Sequence, residues 1–190
     1  MKRLVKSVLH GVCLALAFPP ALLSGFGRAD SVFLLFAQTF ALVPSIVGDY
    51  LRIAYYKLTL EECALESRIQ FGSFFAHPQA KVGQGVYIGS YCILGRTEIG
   101  DRTQIASSVQ IPSGRRQHAR ADDGRVLGSD RGEFTPVLIG ADCWIGAGAI
   151  VMAEVGAGST VGAGSVVVKP IPPGSVAVGS PARVVKTEGE

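Results

Sequence analysis

"VMAEVGAGSTVGAGSVVVKPIPPGSVAVGSPARVV", residues 151–185, repeats itself every six residues and then leaves the pattern through a proline-rich, basic tail. An aliphatic residue starts each unit, at Val155, Val161 and Val167, with the unit from Val151 cut short by two. Reading backwards, the same phase starts at Ile145 and Ile139, and further upstream at Ile111, Ile105 and Ile99, then, across a slip of one residue, at Ile88 and Val82. A period of six fits neither one helix nor a two-residue strand alternation. It fits one short strand and one turn per unit, stacked into parallel coils about 4.8 Å apart. The first position points inward, and the glycine or small residue after it is expected where the backbone bends tightly. A unit that buries one aliphatic residue cannot stand alone, so the neighbouring layers must supply the stability.

The 190 residues suffice for one substantial core plus an appendage. The net charge of +3 is unevenly shared: residues 1–58 hold six Lys or Arg against Asp30 and Asp49, and the rest is balanced. No nucleic-acid partner is expected. Cys13, Cys63, Cys92 and Cys143 show neither a Cys-x-x-Cys pair nor a zinc-finger spacing and read as reduced fillers of apolar space.

Two stretches, Ser7 to Gly27 and Ser31 to Gly48, carry no Lys, Arg, Asp or Glu and approach the length that crosses about 30 Å of hydrocarbon. Basic residues outside them (Lys2, Arg3 and Lys6 before, Arg52 and Lys57 after) place both ends in the cytoplasm by the positive-inside rule. Pro19, Pro20 and Pro44 each remove a backbone donor, which favours broken, re-entrant or interface-lying helices over clean spans; spanning and re-entrant arrangements both stay open. A cleaved signal peptide fits poorly, because a second apolar run follows the first at once. The alternative to a membrane segment is a helical cap on the repeat. Residues 49–70 read as an exposed helix at a junction. The expected division is a helical, membrane-associated region at 1–58 and a repeat domain at 59–190, with an inserted loop at about 113–136.

Three segments, "CWIGAGAIVM" (143–152), "VGAGSVVVKPIPPGSVAVGSPARVV" (161–185) and "SGRRQH" (113–118), resemble the hexapeptide-repeat acyltransferases over roughly residues 67–186. They look most like the O-acetyltransferases of polysaccharide biosynthesis. The resemblance implies a mainly β fold, a left-handed parallel β-helix with three hexapeptides per turn, a homotrimer with active sites between subunits, and acetyl-CoA as acyl donor. No metal is expected. The shortened turn at Val151–Glu154 departs from the family's usual length.

The hexads stop after Ile111 and return at Ile139, so the polar stretch between must loop outward, a usual place for substrate contacts. Transfer to a hydroxyl needs a general base, and an imidazole suits neutral pH. His118 lies in this loop, whereas His10 and His77 do not, and the resemblance puts the catalytic histidine at His118. Ser113, Arg115 and Arg116 are the candidate saccharide contacts. Backbone amides near Gly146, Ala147 and Gly148 are candidates for stabilising the oxyanion. Trp144 should face outward, against the acceptor, the pantetheine arm or a neighbouring subunit. Small residues at 156–164, Gly164 included, keep a low wall for a thin ligand, and Lys169, Arg183 and Lys186 supply cations for its phosphates. A carbonic anhydrase of this coil needs three histidine ligands, and a nucleotidyltransferase needs a further domain for which the chain has no room. A long-chain acyltransferase is disfavoured by the "GSPAR" tail. The expected function is O-acetylation of a lipid-linked or nascent polysaccharide intermediate at the cytoplasmic face of a bacterial plasma membrane. Acetylation of a soluble small sugar or amine, or a non-catalytic trimeric scaffold, are the alternatives.

Overall fold

The aliphatic residues of the repeat line up in three inward-facing columns. The computed structural model describes residues 2–114, 118–128 and 134–187. Its coil has three walls of short parallel strands. The first wall is β1 (Glu62–Cys63), β4 (Lys81–Val82), β7 (Thr97–Ile99) and β10 (Val137–Ile139). The second is β2 (Arg68–Ile69), β5 (Tyr87–Ile88), β8 (Gln104–Ile105), β11 (Trp144–Ile145), β13 (Thr160–Val161) and β15 (Ser175–Val178). The third is β3 (Phe74–Phe75), β6 (Ile93–Leu94), β9 (Gln110–Ile111), β12 (Ile150–Val151) and β14 (Val166–Val167). Stacked on the second wall's axis are Ile69, Ile88, Ile105, Ile145, Val161 and Ala177, all fully buried. β16 (Arg183–Thr187) closes the coil by turning back antiparallel on β15.

Buried hydroxyls brace successive corners. Ser67 Oγ donates to the Gly83 carbonyl at 2.6 Å and accepts the Val86 amide at 3.0 Å; Thr103 and Ser159 repeat the device further along. Each satisfies a donor and an acceptor that a narrow coil would otherwise leave unpaired at its bends.

Several expectations are corrected. The junction at 49–70 is not one exposed helix: α3 (Ser45–Thr59) ends there, and β1 and β2 form the beginning of an additional coil turn. After Val167 the next inward residue is Ile171, so the shortening by two at Val151–Val155 recurs one coil later. The second apolar stretch is not a single segment, since α2 (Asp30–Ala41) stops before Pro44 and α3 starts after it. At about 1.5 Å per residue α2 is far shorter than a membrane is thick, which removes the hairpin of two full spans. Among the described residues one helix, α1 (Lys2–Leu23), is long and apolar enough to cross a membrane, over Lys6–Leu23. α1 runs unbroken through Pro19 and Pro20. The carbonyls these prolines leave without an amide partner belong to Ala15 and Leu16, residues on the exposed side of the helix, where another donor can reach them.

The helices cover the open end of the coil. Tyr56 on α3 is fully buried, and its hydroxyl accepts the Phe75 amide at 3.1 Å while its ring meets the Phe75 ring edge-on. Phe33 of α2 stacks on Tyr55, whose hydroxyl donates to the Phe33 carbonyl. Arg52, fully buried, reaches from α3 to the Ile69 carbonyl of β2 and to the Phe40 and Val43 carbonyls at the end of α2. One apolar cluster therefore runs from Cys13 on α1 to Ala182 past β15. Without this lid, Ile69 and Phe75 would face water.

Candidate active site

The inserted loop leaves the third wall after β9 and returns to the first wall at β10, so it stands on one edge of the three-sided coil. Its root is braced. Ser113 Oγ is buried and accepts the Arg96 amide at 2.8 Å, so it holds the neck of the loop and does not reach outward. On the returning side Phe134 is clamped: its ring lies 5.2 Å from the His77 ring, the Arg96 guanidinium sits 5.5 Å from its centroid, and Arg96 Nη1 donates to its carbonyl. Beside this neck a cavity of about 310 Å³ is lined by His77, Ile93, Gln110 and Ser113 among others. Burial and the nearby Arg96 pull the His77 pKa down, which keeps its imidazole neutral. Sequence reasoning set His77 aside because it lies outside the loop. Its nearness to Phe134 depends on the loop's closing geometry, and no local motif announces it.

Within the loop, residues 119–127 form a small hairpin: Leu127 N–H donates to Ala119 O, Ala121 N–H to Arg125 O, and Arg120 bridges Val126 antiparallel. The turn at Gly124, with φ +83°, closes it. His118 stands exposed at the base of the hairpin with Nδ1 3.1 Å from the Leu127 carbonyl. A carbonyl can only accept, so this contact places the proton on Nδ1 and the lone pair on Nε2, which has no partner among the described residues, the tautomer a general base needs. The orienting partner is a backbone atom, which is why no side chain in the sequence pointed to it. Arg115 and Arg116 lie outside the described residues.

The other candidates occupy different edges. Trp144 is 59% exposed on the outer face of the second wall, between Gln104 and Thr160. Gly146, Ala147, Gly148 and Gly164 sit at the corner between the second and third walls. There the two glycines of "GAG" do different jobs. A Cβ on Gly146 would come within 2.5 Å of the Ala163 amide of the next coil, so coil spacing, not a bend, excludes a side chain. Gly148 makes the bend, at φ +69°, and looks onto open space, as does Gly164. The sequence expectation that the bend falls directly after the aliphatic residue is corrected by two positions. The Gly146 amide donates to Val161 O and the Gly148 amide to Ser107 O, so both are used to hold the coils together. Ala147 and Gly148 are exposed and Gly146 is buried. Lys169 follows β14, on the loop's own edge, while Arg183 and Lys186 lie exposed on β16 at the end of the second wall. The structure thus gathers His118, Ser113 and Lys169 on one edge, and Trp144, Gly148, Gly164, Arg183 and Lys186 on and around the second wall; among the described residues, a single chain does not bring the two groups into one pocket.

Residues 136–169 match a family model described as the hexapeptide repeat of succinyl-transferase. With the three-walled coil, the match makes the chain similar to the hexapeptide-repeat acyltransferases. It is 48% identical over 109 residues to Nodulation protein L of Rhizobium leguminosarum bv. viciae, a stretch covering 55% of each protein. The chain therefore spans little more than half the length of that curated relative. A maltose O-acetyltransferase from Clostridium difficile 630 superimposes with a TM-score of 0.70 at 26% identity, over 87% of this chain and 89% of that one. AntD, an N-acyltransferase from Bacillus cereus solved with dTDP and 3-hydroxybutyryl-CoA, shares the fold with a TM-score of 0.54 at 20% identity, over 69% and 85%.

Proposed function

We propose that the protein transfers an acetyl group from acetyl-CoA to a saccharide hydroxyl, with His118 as general base. The observation that carries this reading is the anchored imidazole, Nδ1 on the Leu127 carbonyl and Nε2 without a partner among the described residues, presented by a loop on a hexapeptide-repeat coil. Nε2 takes the proton of the acceptor hydroxyl as its oxygen attacks the thioester carbonyl. The C–S bond then breaks, and the coenzyme A thiolate recovers the proton. The amide of Ala147 is the candidate donor to the developing oxyanion, since its two neighbours are engaged in the coil. The open faces of Gly148 and Gly164 suit a thin pantetheine chain, and Lys169, Arg183 and Lys186 suit its phosphates.

The active unit in this reading is a homotrimer of left-handed coils. Its support is the split just described: the loop edge of one subunit and the second wall of another are complementary halves. A saccharide acceptor is supported by the likeness to the maltose O-acetyltransferase. The finer reading is a lipid-linked or nascent polysaccharide intermediate at the cytoplasmic face of a bacterial plasma membrane, supported by the exposed apolar surface of α1, since tethering to the acceptor's surface raises the effective concentration.

The test is His118→Ala and His118→Asn in the purified protein. Loss of about 10²- to 10⁴-fold in kcat with trimer and melting temperature retained is expected; wild-type turnover in either variant would remove the base from this position.

A further inference from the structure

α1 has two unlike sides. Cys13, Ala17 and Ala21, spaced at four, are buried against the rest of the protein. On the opposite side Val8, Val12, Leu16, Leu22 and Leu23 are between 51% and 67% exposed, with Leu9 and Phe18 beside them, and Phe26, edge-on to Phe18, extends the patch past the helix end. Among residues 8–23 the only polar side chain is His10, whose ring packs on Tyr50 at 4.9 Å. A helix that faces water carries polar residues on its outer side, and an apolar area of this extent marks a contact surface.

Three observations favour a lipid leaflet as the occupant. Before Asp30 the chain carries Lys2, Arg3, Lys6 and Arg28 and no acid, which complements an anionic surface. The carbonyls freed by Pro19 and Pro20 belong to exposed residues; hydrocarbon would leave them unpaired, whereas the hydrated headgroup layer can satisfy them. Finally, α1 packs chiefly on α3, and α3 is fixed to the coil through Arg52 and Tyr56. A transmembrane α1 would have to strip Ala17 and Ala21 from that seam.

We propose that α1 lies in the plane of an anionic lipid leaflet, its Val12–Leu16–Leu23 side immersed to acyl-chain depth and its Cys13–Ala17–Ala21 side still packed on α3. This rests on the membrane reading given above and specifies its geometry; it is independent of the transfer chemistry.

The experiment is flotation of the full chain with vesicles of phosphatidylcholine alone or mixed with phosphatidylglycerol. It is repeated for Leu16→Glu and Leu23→Glu, both at exposed positions, with folding checked by circular dichroism. An impermeant maleimide is then applied to vesicle-bound Arg28→Cys, in which the four native thiols are buried. The expected results are binding to the phosphatidylglycerol mixture, weakened by salt and released by alkaline carbonate, a loss of about tenfold or more in each glutamate variant, and an introduced thiol that labels freely. Absence of flotation would overturn both this geometry and the membrane reading. Carbonate-resistant binding with the thiol protected would mean a span, overturning the geometry alone. Binding undiminished in both glutamate variants would place the contact elsewhere. Self-association that Leu16→Glu disperses, without flotation, would assign the face to a second copy of the chain.

Discussion

Replacing Arg52 by methionine keeps much of the side chain's volume and removes its donors. In the structure Arg52 Nε donates to Ile69 O at 2.8 Å, Nη1 to Phe40 O at 2.9 Å and Val43 O at 2.8 Å, and Nη2 to Asp49 Oδ1 at 2.7 Å. Burial pulls the Arg52 pKa down, and Asp49 opposes that shift by hydrogen bond and charge. The variant strands the Ile69 and Val43 carbonyls, at about 1 kcal/mol each, while Phe40 O keeps the Val43 amide, and it removes one of the partners of a buried carboxylate, for a total of about 3–5 kcal/mol. Asp49 keeps Arg68 and Gln70 on Oδ2, which holds the cost to that range. Because the stranded groups join α2, α3 and β2, the loss should appear in the helical lid before the coil. Urea unfolding followed by helical ellipticity should shift by the full amount, with the fluorescence of Trp144, on the fourth coil, following at higher denaturant. A change below about 1 kcal/mol, or coincident shifts of both probes, would refute the idea that Arg52 fastens a separable lid.

Other outcomes follow from single features. Gly146→Ala forces a methyl onto the Ala163 amide and should cost more stability than Gly148→Ala, which has free space and meets only the backbone penalty of about 1 kcal/mol at its positive φ; chemical denaturation of both variants ranks them. His77→Ala should loosen the loop's root at Phe134 and lower kcat while acetyl-CoA binding, measured by calorimetry, stays near wild type. Burial pushes the Cys63 thiol up to about 12 and the Tyr55 hydroxyl up to about 12, so both stay protonated in the fold well above their unfolded values of 9.0 and 10.0. The unfolded state then loses protons first, and urea midpoints should fall as pH rises from 9 towards 12.

The columns of the coil were legible because one inward position in six is a strict requirement: Ile145 or Val161 can be exchanged only for something of similar size, and the slips between columns leave their own trace. The additional turn at Glu62–Phe75 was not, because its inward residues are Cys63, Ile69 and Phe75, two of them not aliphatic, and the charges of α3 mask the change of period. α3 itself misled for a related reason. Asp49, Arg52 and Arg68 look like a solvated face in sequence, yet Asp49 and Arg52 are buried because they satisfy one another and the carbonyls around them. At the candidate site, His118 could be named from its loop, whereas its Leu127 carbonyl, the Phe134 clamp and the use of the Gly146 and Gly148 amides are properties of folded backbone. The distribution of candidates over two edges is likewise a product of the coil's winding.

The most direct measurement uses acetyl-CoA labelled in the acetyl group, the purified protein and a membrane saccharide fraction. Base-labile label on the saccharide and an equal amount of released coenzyme A thiol are expected, both falling about 10²- to 10⁴-fold in rate with His118→Ala. Thiol release with no acetyl on the saccharide, or the same ester yield from His118→Ala, would contradict the proposed transfer.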